Sequence, residues 1–495
     1  MIHVKGAGGG WRHSVRMPIP VLADPAETTA PAAITAPILT PDMLRRFDVA
    51  GPRYTSYPTA DRFVEAFGAD AYGQALRQRA AGARGGAMPL SLYVHIPFCE
   101  SLCYFCACNK IVTRHHERAD EYLDHLEREI ELQVAQLGRG AIVSQLHLGG
   151  GTPTFLDDAA LRRLMSMLRA AFTLVPGGEY AVEVDPRTID EKRLAELALL
   201  GFNRLSFGVQ DFDPAVQKAV HRIQPAEQVF DLVAAARRLG FGSLNVDLIY
   251  GLPRQNAASF DQTLAQICTL RPDRIALYAY AHLPERFKPQ RRIHGDELPD
   301  AATKIEMLSR SIAALTAAGY VYIGMDHFAL PDDPLAIAKR QGRLHRNFQG
   351  YSTQPDCDLV ALGVSAIGRV GATYSQNAKT LEEYYDLLGQ GRLPVVRGLA
   401  LSRDDVLRRS VIMALMCQGR VDFESIELAH LIDFRSYFEA ELAALVPLEA
   451  KGLVSIDARG IDVTATGWFF VRGIAMVFDR YLQADRNRTR FSRII

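Results

Sequence analysis

The run His95-Ile-Pro-Phe-Cys99-Glu-Ser-Leu-Cys103-Tyr-Phe-Cys106 sets three thiols apart by three and then two residues. Thiolates at that spacing can close around one cube of four irons and four sulfides within a short loop. A cube needs four ligands, so three from the protein leave one iron for a small molecule, as a catalytic metal site keeps a position for its substrate. Two rival readings use the same residues. Cys108 follows at once, and Cys99, Cys103, Cys106 and Cys108 would make a four-thiolate zinc site, although a Cys-x-Cys pair crowds two bulky ligands. A disulfide framework fits worse, because seven cysteines in 495 residues is an odd and sparse count and no secretory signal opens the chain. The cysteines therefore read as reduced, in a cytoplasmic protein.

Such a loop needs a scaffold that gathers several loops at one mouth, and the sequence alternates in a way that builds one. Short β-branched or aromatic runs at 91–95, 145–149, 180–184, 204–210, 243–250 and 274–280 are separated by amphipathic patterns at 119–137, 190–200, 226–239 and 259–270. A further strand is expected at 320–325. Strand, helix, strand repeated in this way predicts parallel strands with right-handed crossovers, as a barrel or partial barrel in preference to an open doubly wound sheet.

In such a barrel the chemistry sits at the C-terminal ends of the strands. The first strand runs into the cysteine loop. The second ends in Gly149-Gly150-Gly151-Thr152-Pro153-Thr154, where residues without side chains permit close backbone approach to a ligand, and where Thr152 with Pro153 can start a helix; a tight turn explains the glycines equally well. The third, Val182-Glu183-Val184-Asp185, puts both carboxylates on one face. Facing a lumen they would meet ribose hydroxyls; on an edge strand they would face solvent. Gln210 closes the fourth strand. Asp247 interrupts an apolar run and needs a cation or a hydroxyl. Arg222 is a candidate cation, or else a surface salt-bridge residue.

The remaining chain divides by composition. Residues 1–38 are rich in Ala, Pro and Gly and read as a disordered extension. Residues 39–88 form an N-terminal segment with an ordered, substrate-facing loop at 52–60. Residues 89–375 form the barrel, and 376–495 a mainly helical C-terminal domain with a helix at 402–417 and a two-stranded wing at 452–464. That module reads as a lid or packing domain, since no basic stripe marks it for DNA. Lys plus Arg equals Asp plus Glu at 56 each, which gives no global attraction to nucleic acid or anionic membrane, and no apolar run approaches the about 18 residues of a membrane span. Cys268, Cys357 and Cys417 are expected as small buried hydrophobes.

The Cys99-x-x-x-Cys103-x-x-Cys106 run resembles the cluster loop of the radical S-adenosylmethionine superfamily, in which the amino and carboxylate groups of S-adenosylmethionine occupy the open iron. More motifs resemble one branch of it, the oxygen-independent coproporphyrinogen III oxidases, over roughly residues 45–495. They are the Arg53 to Ala60 loop, Cys99 to Lys110 with Cys108, the GGGTPT turn, Glu183-Val-Asp-Pro, Gly208-Val-Gln-Asp-Phe212, Asp247 to Pro253, Tyr280 to Pro284, Gly324 to Phe328 and His345 to Tyr351.

The resemblance implies oxidative decarboxylation of two propionates of coproporphyrinogen III to vinyl groups, giving protoporphyrinogen IX in haem synthesis. It implies a 4Fe-4S cluster on Cys99, Cys103 and Cys106, and two S-adenosylmethionine molecules. The first would meet Tyr93, Gly150, Glu183 and Ile367, and the second Phe105, Gly151, Thr152, Gln210, Arg222, Asp247 and Ala281. Tyr93, Cys108 and Glu183 are the implied catalytic residues. Four substrate carboxylates call for Arg53, Tyr54 and Arg346, with Gln349 near the mouth, and a lumen of Val, Leu and Tyr is expected around the radical. A low-potential electron donor and a monomeric chain are also expected, with neither nucleic acid nor membrane as partner. The alternatives are a haem-binding or haem-delivery protein that keeps the loop, and a radical enzyme acting on haem.

Overall fold

Strand β1 (Leu90–Ile96) is buried at six of its seven positions, the mark of a central parallel strand covered on both faces. Its surroundings come from a computed structural model that describes Met43 and residues 51–82 and 88–484. The extension expected at 1–38 lies outside the described residues. After β1, the two-residue strands β2 (Phe98–Cys99) and β3 (Ile111–Val112) pair in parallel and close the base of the cysteine loop.

Strands β4 (Ala141–Gly150), β5 (Phe172–Val184), β6 (Arg204–Gln210), β7 (Ser243–Tyr250) and β8 (Arg274–Ala279) follow. Helices Arg118–Leu137, Asp158–Ala171, Glu191–Leu199, Ala226–Arg238 and Ala257–Leu270 fill the crossovers. Asp157, Asp190 and Asn256 cap three of them by accepting from backbone N–H groups of the first turn, and Pro225, in extended conformation, precedes a fourth. From β1 through β4 to β8 every pair is parallel and the order never reverses. A doubly wound sheet would reverse its order at a switch point. The strands thus form the expected partial barrel.

Antiparallel pieces extend both edges, and the period of the pattern did not reveal them. On one edge β9 (Val321–Gly324), the strand expected at 320–325, turns back into β10 (His327–Ala329), which pairs antiparallel with β8. A separate hairpin joins β11 (His345–Asn347) to β12 (Gly350–Ser352). On the other edge β13 (Leu359–Leu362) runs parallel to β1, and β14 (Ile367–Val370), β15 (Thr373–Asn377) and β16 (Val395–Ala400) add antiparallel strands. The sheet therefore continues to Ala400, and a boundary between 375 and 376 would cut β15.

Beyond it, Ser402 caps helix Arg403–Gln418 with a reciprocal Ser402–Asp405 capping box. The wing has three strands where two were expected: β17 (Arg420–Asp422) pairs with β19 (Gly460–Val463), which pairs with β18 (Val454–Ile456). At three residues, β17 is too short to show alternation. The C-terminal residues are tied to the barrel by side chain to backbone bonds, Trp468 Nε1 to the Ile323 carbonyl (2.8 Å) and Arg472 Nε to the Pro52 carbonyl (2.8 Å). One apolar core runs from Tyr54 through the strands to Phe478. Among the described residues no helix is long and apolar enough to cross a membrane.

Candidate functional site

Of the three glycines at the end of β4, Gly149 leaves room for the Glu183 carboxylate, 2.8 Å from where its Cβ would lie, and the other two make room for the backbone of the cysteine-loop stem. A Cβ on Gly151 would fall 2.6 Å from the Phe98 carbonyl oxygen and 2.7 Å from that of Pro97, and one on Gly150, at φ +120°, would fall 2.8 Å from the Ile96 oxygen. The Gly151 and Thr152 N–H groups donate to Ile96 and Phe98 carbonyls at 2.8 Å each. Close approach to the loop stem, rather than to a ligand, accounts for Gly151. Thr152 with Pro153 does start a helix, but only the 3-10 turn Pro153–Phe155 and without a side-chain cap, and the α-helix begins after Asp157.

Above this stem, Cys99, Cys103, Cys106 and Cys108 line one cavity of about 190 Å³ together with Phe105, Gly150, Gly151, Thr152, Glu183, Gln210, Arg222 and Asp247. Two guanidinium groups approach Cys103 Sγ, Arg222 Nη1 at 3.4 Å and Arg187 Nη2 at 3.5 Å. Both also hold Asp185, at 3.2 and 2.6 Å. Burial alone would raise the Asp185 carboxyl, but Arg222 and Arg187 outweigh it and hold the group below the usual carboxylate range. Arg222 is 7% exposed, so it is a buried cation; its carboxylate partner is Asp185 and not Asp247. A hydrogen bond from Cys108 lowers the Cys106 thiol despite burial, and Lys110 adds to the effect, which favours the thiolate a metal requires.

The donor set fits a cluster. Four free thiols face one chamber, guanidinium groups lie ready to balance thiolate charge, and a cube spreads three sulfurs over three irons.

Below the chamber lies a second cavity of about 150 Å³, the barrel lumen, and Glu183, Ser206 and Asp247 border both. Alternate residues of each strand point inward: Gln145 and His147, Glu179 and Glu183, Arg204 and Ser206, Asn245 and Asp247, Arg274 and Tyr278. The lumen is therefore more polar than expected: Leu146, Leu205, Tyr278 and Tyr351 supply the expected Leu and Tyr, but no valine lines it, and Val182, Leu244 and Val246 are buried on the other face, toward the helices. The two carboxylates that border both cavities are partnered. Glu183 accepts from His147 Nε2 (3.0 Å) and the Gly150 N–H (3.3 Å), while Asp247 accepts from Ser206 Oγ (3.2 Å) and Asn245 Nδ2 (2.9 Å). Burial, and then the charge of Glu183, push the Asp247 carboxyl up to about 6.

Tyr93 stacks on His147, with ring centroids 6.0 Å apart, and its hydroxyl lies 3.0 Å from His95 Nδ1. His95 Nε2 meets the Asn109 carbonyl at 3.0 Å, which only accepts, so Nε2 carries the proton. Burial keeps this ring neutral, and Nδ1 accepts from Tyr93. His95 and His147 were not singled out as site residues. His95 stands two residues after Tyr93 on β1, and His147 is the residue beside Tyr93 on β4, so strand alternation is the signal that finds them. Ile367 lies outside the chamber lining, on β14. The antiparallel pairing of Leu359 with Arg369 carries it beside Ala361, itself the neighbour of Tyr93.

Phe105 and Ala281 are joined by a residue that sequence reasoning missed. Buried Gln290 donates through Nε2 to the carbonyls of both, at 3.0 and 3.2 Å.

The residues expected to meet substrate divide. Arg53 donates to Asp326 Oδ2 (2.6 Å) and lies over the Tyr278 ring, 5.2 Å from its centroid. Arg346 Nε donates to the Arg53 carbonyl (3.3 Å), its guanidinium lies over Tyr351, and its Nη1 is buried without a hydrogen-bond partner. Gln349 lines the lumen, and both polar atoms of its side chain are likewise unpartnered. Tyr54 does not join them. It is 1% exposed and donates to Asp479 Oδ2 (3.0 Å), so it anchors the loop that presents Arg53.

The chain matches the radical SAM superfamily over residues 93–267 and the HemN C-terminal domain over residues 401–470. It is 52% identical over 456 residues to the oxygen-independent coproporphyrinogen III oxidase of Pseudomonas aeruginosa, covering 92% of this chain and 98% of that one. The enzyme of the same name from Escherichia coli is 50% identical over 453 residues, with the same coverage. A solved structure described as coproporphyrinogen III oxidase (HemN) from Escherichia coli, a radical SAM enzyme, superposes with a TM-score of 0.83 at 50% identity, covering 87% of this chain and 98% of that one.

Proposed function

Because the chain belongs to the oxygen-independent coproporphyrinogen III oxidase family, we propose that its two connected cavities divide the work, cofactors above Glu183 and Asp247 and substrate beside the lumen. It is a radical S-adenosylmethionine oxidoreductase of haem synthesis, converting two propionates of coproporphyrinogen III to vinyl groups and yielding protoporphyrinogen IX. In the chamber lined by Cys99, Cys103 and Cys106, a 4Fe-4S cluster with S-adenosylmethionine would supply the one-electron radical chemistry that removes hydrogen from a propionate.

The rest is positioning. Cys99, Cys103 and Cys106 would hold the cluster, and Cys108 would tune Cys106. A first S-adenosylmethionine would meet Tyr93, Gly150, Glu183 and Ile367, and a second Phe105, Gly151, Thr152, Gln210, Arg222, Asp247 and Ala281; eight of these eleven line the one chamber, which supports the assignment. Glu183, held by His147 and Gly150, is oriented to accept from ribose hydroxyls. Arg53, Arg346 and Gln349 would grip propionate carboxylates, and gripping the carboxylate fixes the β-carbon that must lose hydrogen. The reading further takes the chain as a cytoplasmic monomer, where thiols stay reduced, served by a low-potential electron donor.

The observation that carries this reading is that the three spaced cysteines share a chamber with Glu183 and Asp247. Anaerobic incubation of reconstituted protein with coproporphyrinogen III, reductant and S-adenosylmethionine tests it. Divinyl product is expected. Haem opened at its ring, or haem bound without turnover, would replace this reading with one of the two alternatives.

A further inference from the structure

The chain is neutral as a whole, yet cations gather on one surface beside the cysteine loop. Residues 286–294 read Arg-Phe-Lys-Pro-Gln-Arg-Arg-Ile-His, four side-chain cations and no carboxylate, between Glu285 on one side and, on the other, Asp296 and Glu297, the latter paired with Arg254. Within them the 3-10 helix Lys288–Arg292 turns Gln290 inward, and Ile293 is buried beside it, while Arg286, Lys288, Arg291 and Arg292 stay exposed.

The segment is fastened to the loop between Cys103 and Cys106. Gln290 donates to the Phe105 carbonyl, and Arg292 lies 5.2 Å from the Tyr104 ring centroid with Nη1 3.4 Å from its hydroxyl. His221 stacks on the same tyrosine, centroids 5.1 Å apart and planes 10° from parallel, and its Nδ1 reaches the Leu102 carbonyl (2.8 Å). Exposed Lys218 and Ile223, the latter 65% exposed, continue this face. A belt of cations with one apolar contact thus covers the outside of the loop whose inside holds Cys103 and Cys106.

We propose that this face docks an acidic one-electron carrier protein, which reduces the cysteine-loop cluster through residues 102–105. The inference rests on the oxidase reading, which requires electrons one at a time: each encounter oxidises the carrier by one electron and reduces the site by one. A protein donor is too large for the lumen, so it must approach the loop from outside. Encounters of this kind bury little area and depend on opposite charge for their rate and orientation. The basic belt supplies that charge on a chain with no net charge of its own.

The test uses the reconstituted holoenzyme, its Lys288→Glu/Arg291→Glu variant and reduced flavodoxin, an acidic flavoprotein, as the probe. Affinity is titrated as salt is raised, and cluster reduction is followed by stopped flow with flavodoxin and, separately, with reduced methyl viologen. The variant is expected to bind flavodoxin about tenfold more weakly, with a flatter salt dependence, and to be reduced normally by the viologen. Unchanged flavodoxin affinity would overturn the proposal. So would equal slowing with both donors, or duplex DNA binding as tightly as flavodoxin. Tight, salt-sensitive flavodoxin binding by a wild-type protein that turns over no porphyrinogen would support the docking face and overturn the oxidase reading.

Discussion

Arg222 Nη1 lies 3.4 Å from Cys103 Sγ and 3.2 Å from Asp185 Oδ2, so one buried guanidinium joins the cysteine loop to the end of β5. Its Nε and Nη2 also donate to the Gly208 carbonyl at 3.1 and 2.5 Å, which reaches β6 as well. The cysteine loop, the end of β5 and strand β6 therefore share one cation. Stranding a buried charge costs about 3–5 kcal/mol, but Arg187 would remain on Asp185, so Arg222→Leu is expected to lose about 2 kcal/mol. Denaturant unfolding checks this, and weaker S-adenosylmethionine binding should accompany it. Full stability in the variant would mean that the link contributes nothing to the fold.

Gly151→Ala tests the fit of β4 against the loop stem. The added methyl would meet two backbone oxygens, at 2.6 and 2.7 Å, and backbone cannot swing aside as a side chain can. A loss of about 1–3 kcal/mol is expected, together with less iron and sulfide after reconstitution. Normal cluster content in a stable variant would show the stem to be looser than described.

Glu129, on helix Arg118–Leu137, is fully buried and accepts from Tyr384 Oη (2.6 Å), the Gly363 N–H (2.7 Å) and Asn377 Nδ2 (2.7 Å). Burial pushes its carboxyl up to about 7 against the pull of those donors. A carboxyl raised on folding takes up a proton between its ordinary value near 4.3 and about 7, so its contribution to stability falls as pH rises through that window. Unfolding free energy measured from about pH 4 to 8 should decline less steeply in Glu129→Gln than in the wild type. Parallel curves would refute the assignment. Because the amide changes the hydrogen bonding too, the slope is the measure rather than the absolute level.

Arg53 and Tyr54 are neighbours with separate tasks. Arg53→Ala should raise KM for the porphyrinogen about 10- to 100-fold, the range of one or two charge-assisted hydrogen bonds, and leave iron content untouched. Tyr54→Phe removes only the bond to Asp479 and should cost about 1 kcal/mol in stability with KM near normal. An equal rise in KM for both variants would return Tyr54 to the substrate.

Much of the fold was legible because alternation is local. Strands at 204–210 and 243–250 were read at their observed bounds, since inward polar residues and outward apolar ones take turns along β6 and β7. The helix at 402–417 was legible from its helical pattern, and the Ser402–Asp405 capping box fixes its observed start at Arg403. The short strands β10 to β16 were not, because three to six residues leave too short a pattern.

At the site, residue types and spacing within one loop determined the chemistry: three thiols at 99, 103 and 106 need no distant partner to specify a cluster. Only the folded chain decided which charges meet. Arg222 pairs with Asp185, 37 residues away, and touches Cys103, 119 residues away, leaving Asp247 to Ser206 and Asn245. Those choices follow from the register of β5, β6 and β7 and from the direction in which each strand end turns. Register is set by the packing of whole strands against their neighbours, and no short stretch of residues contains it.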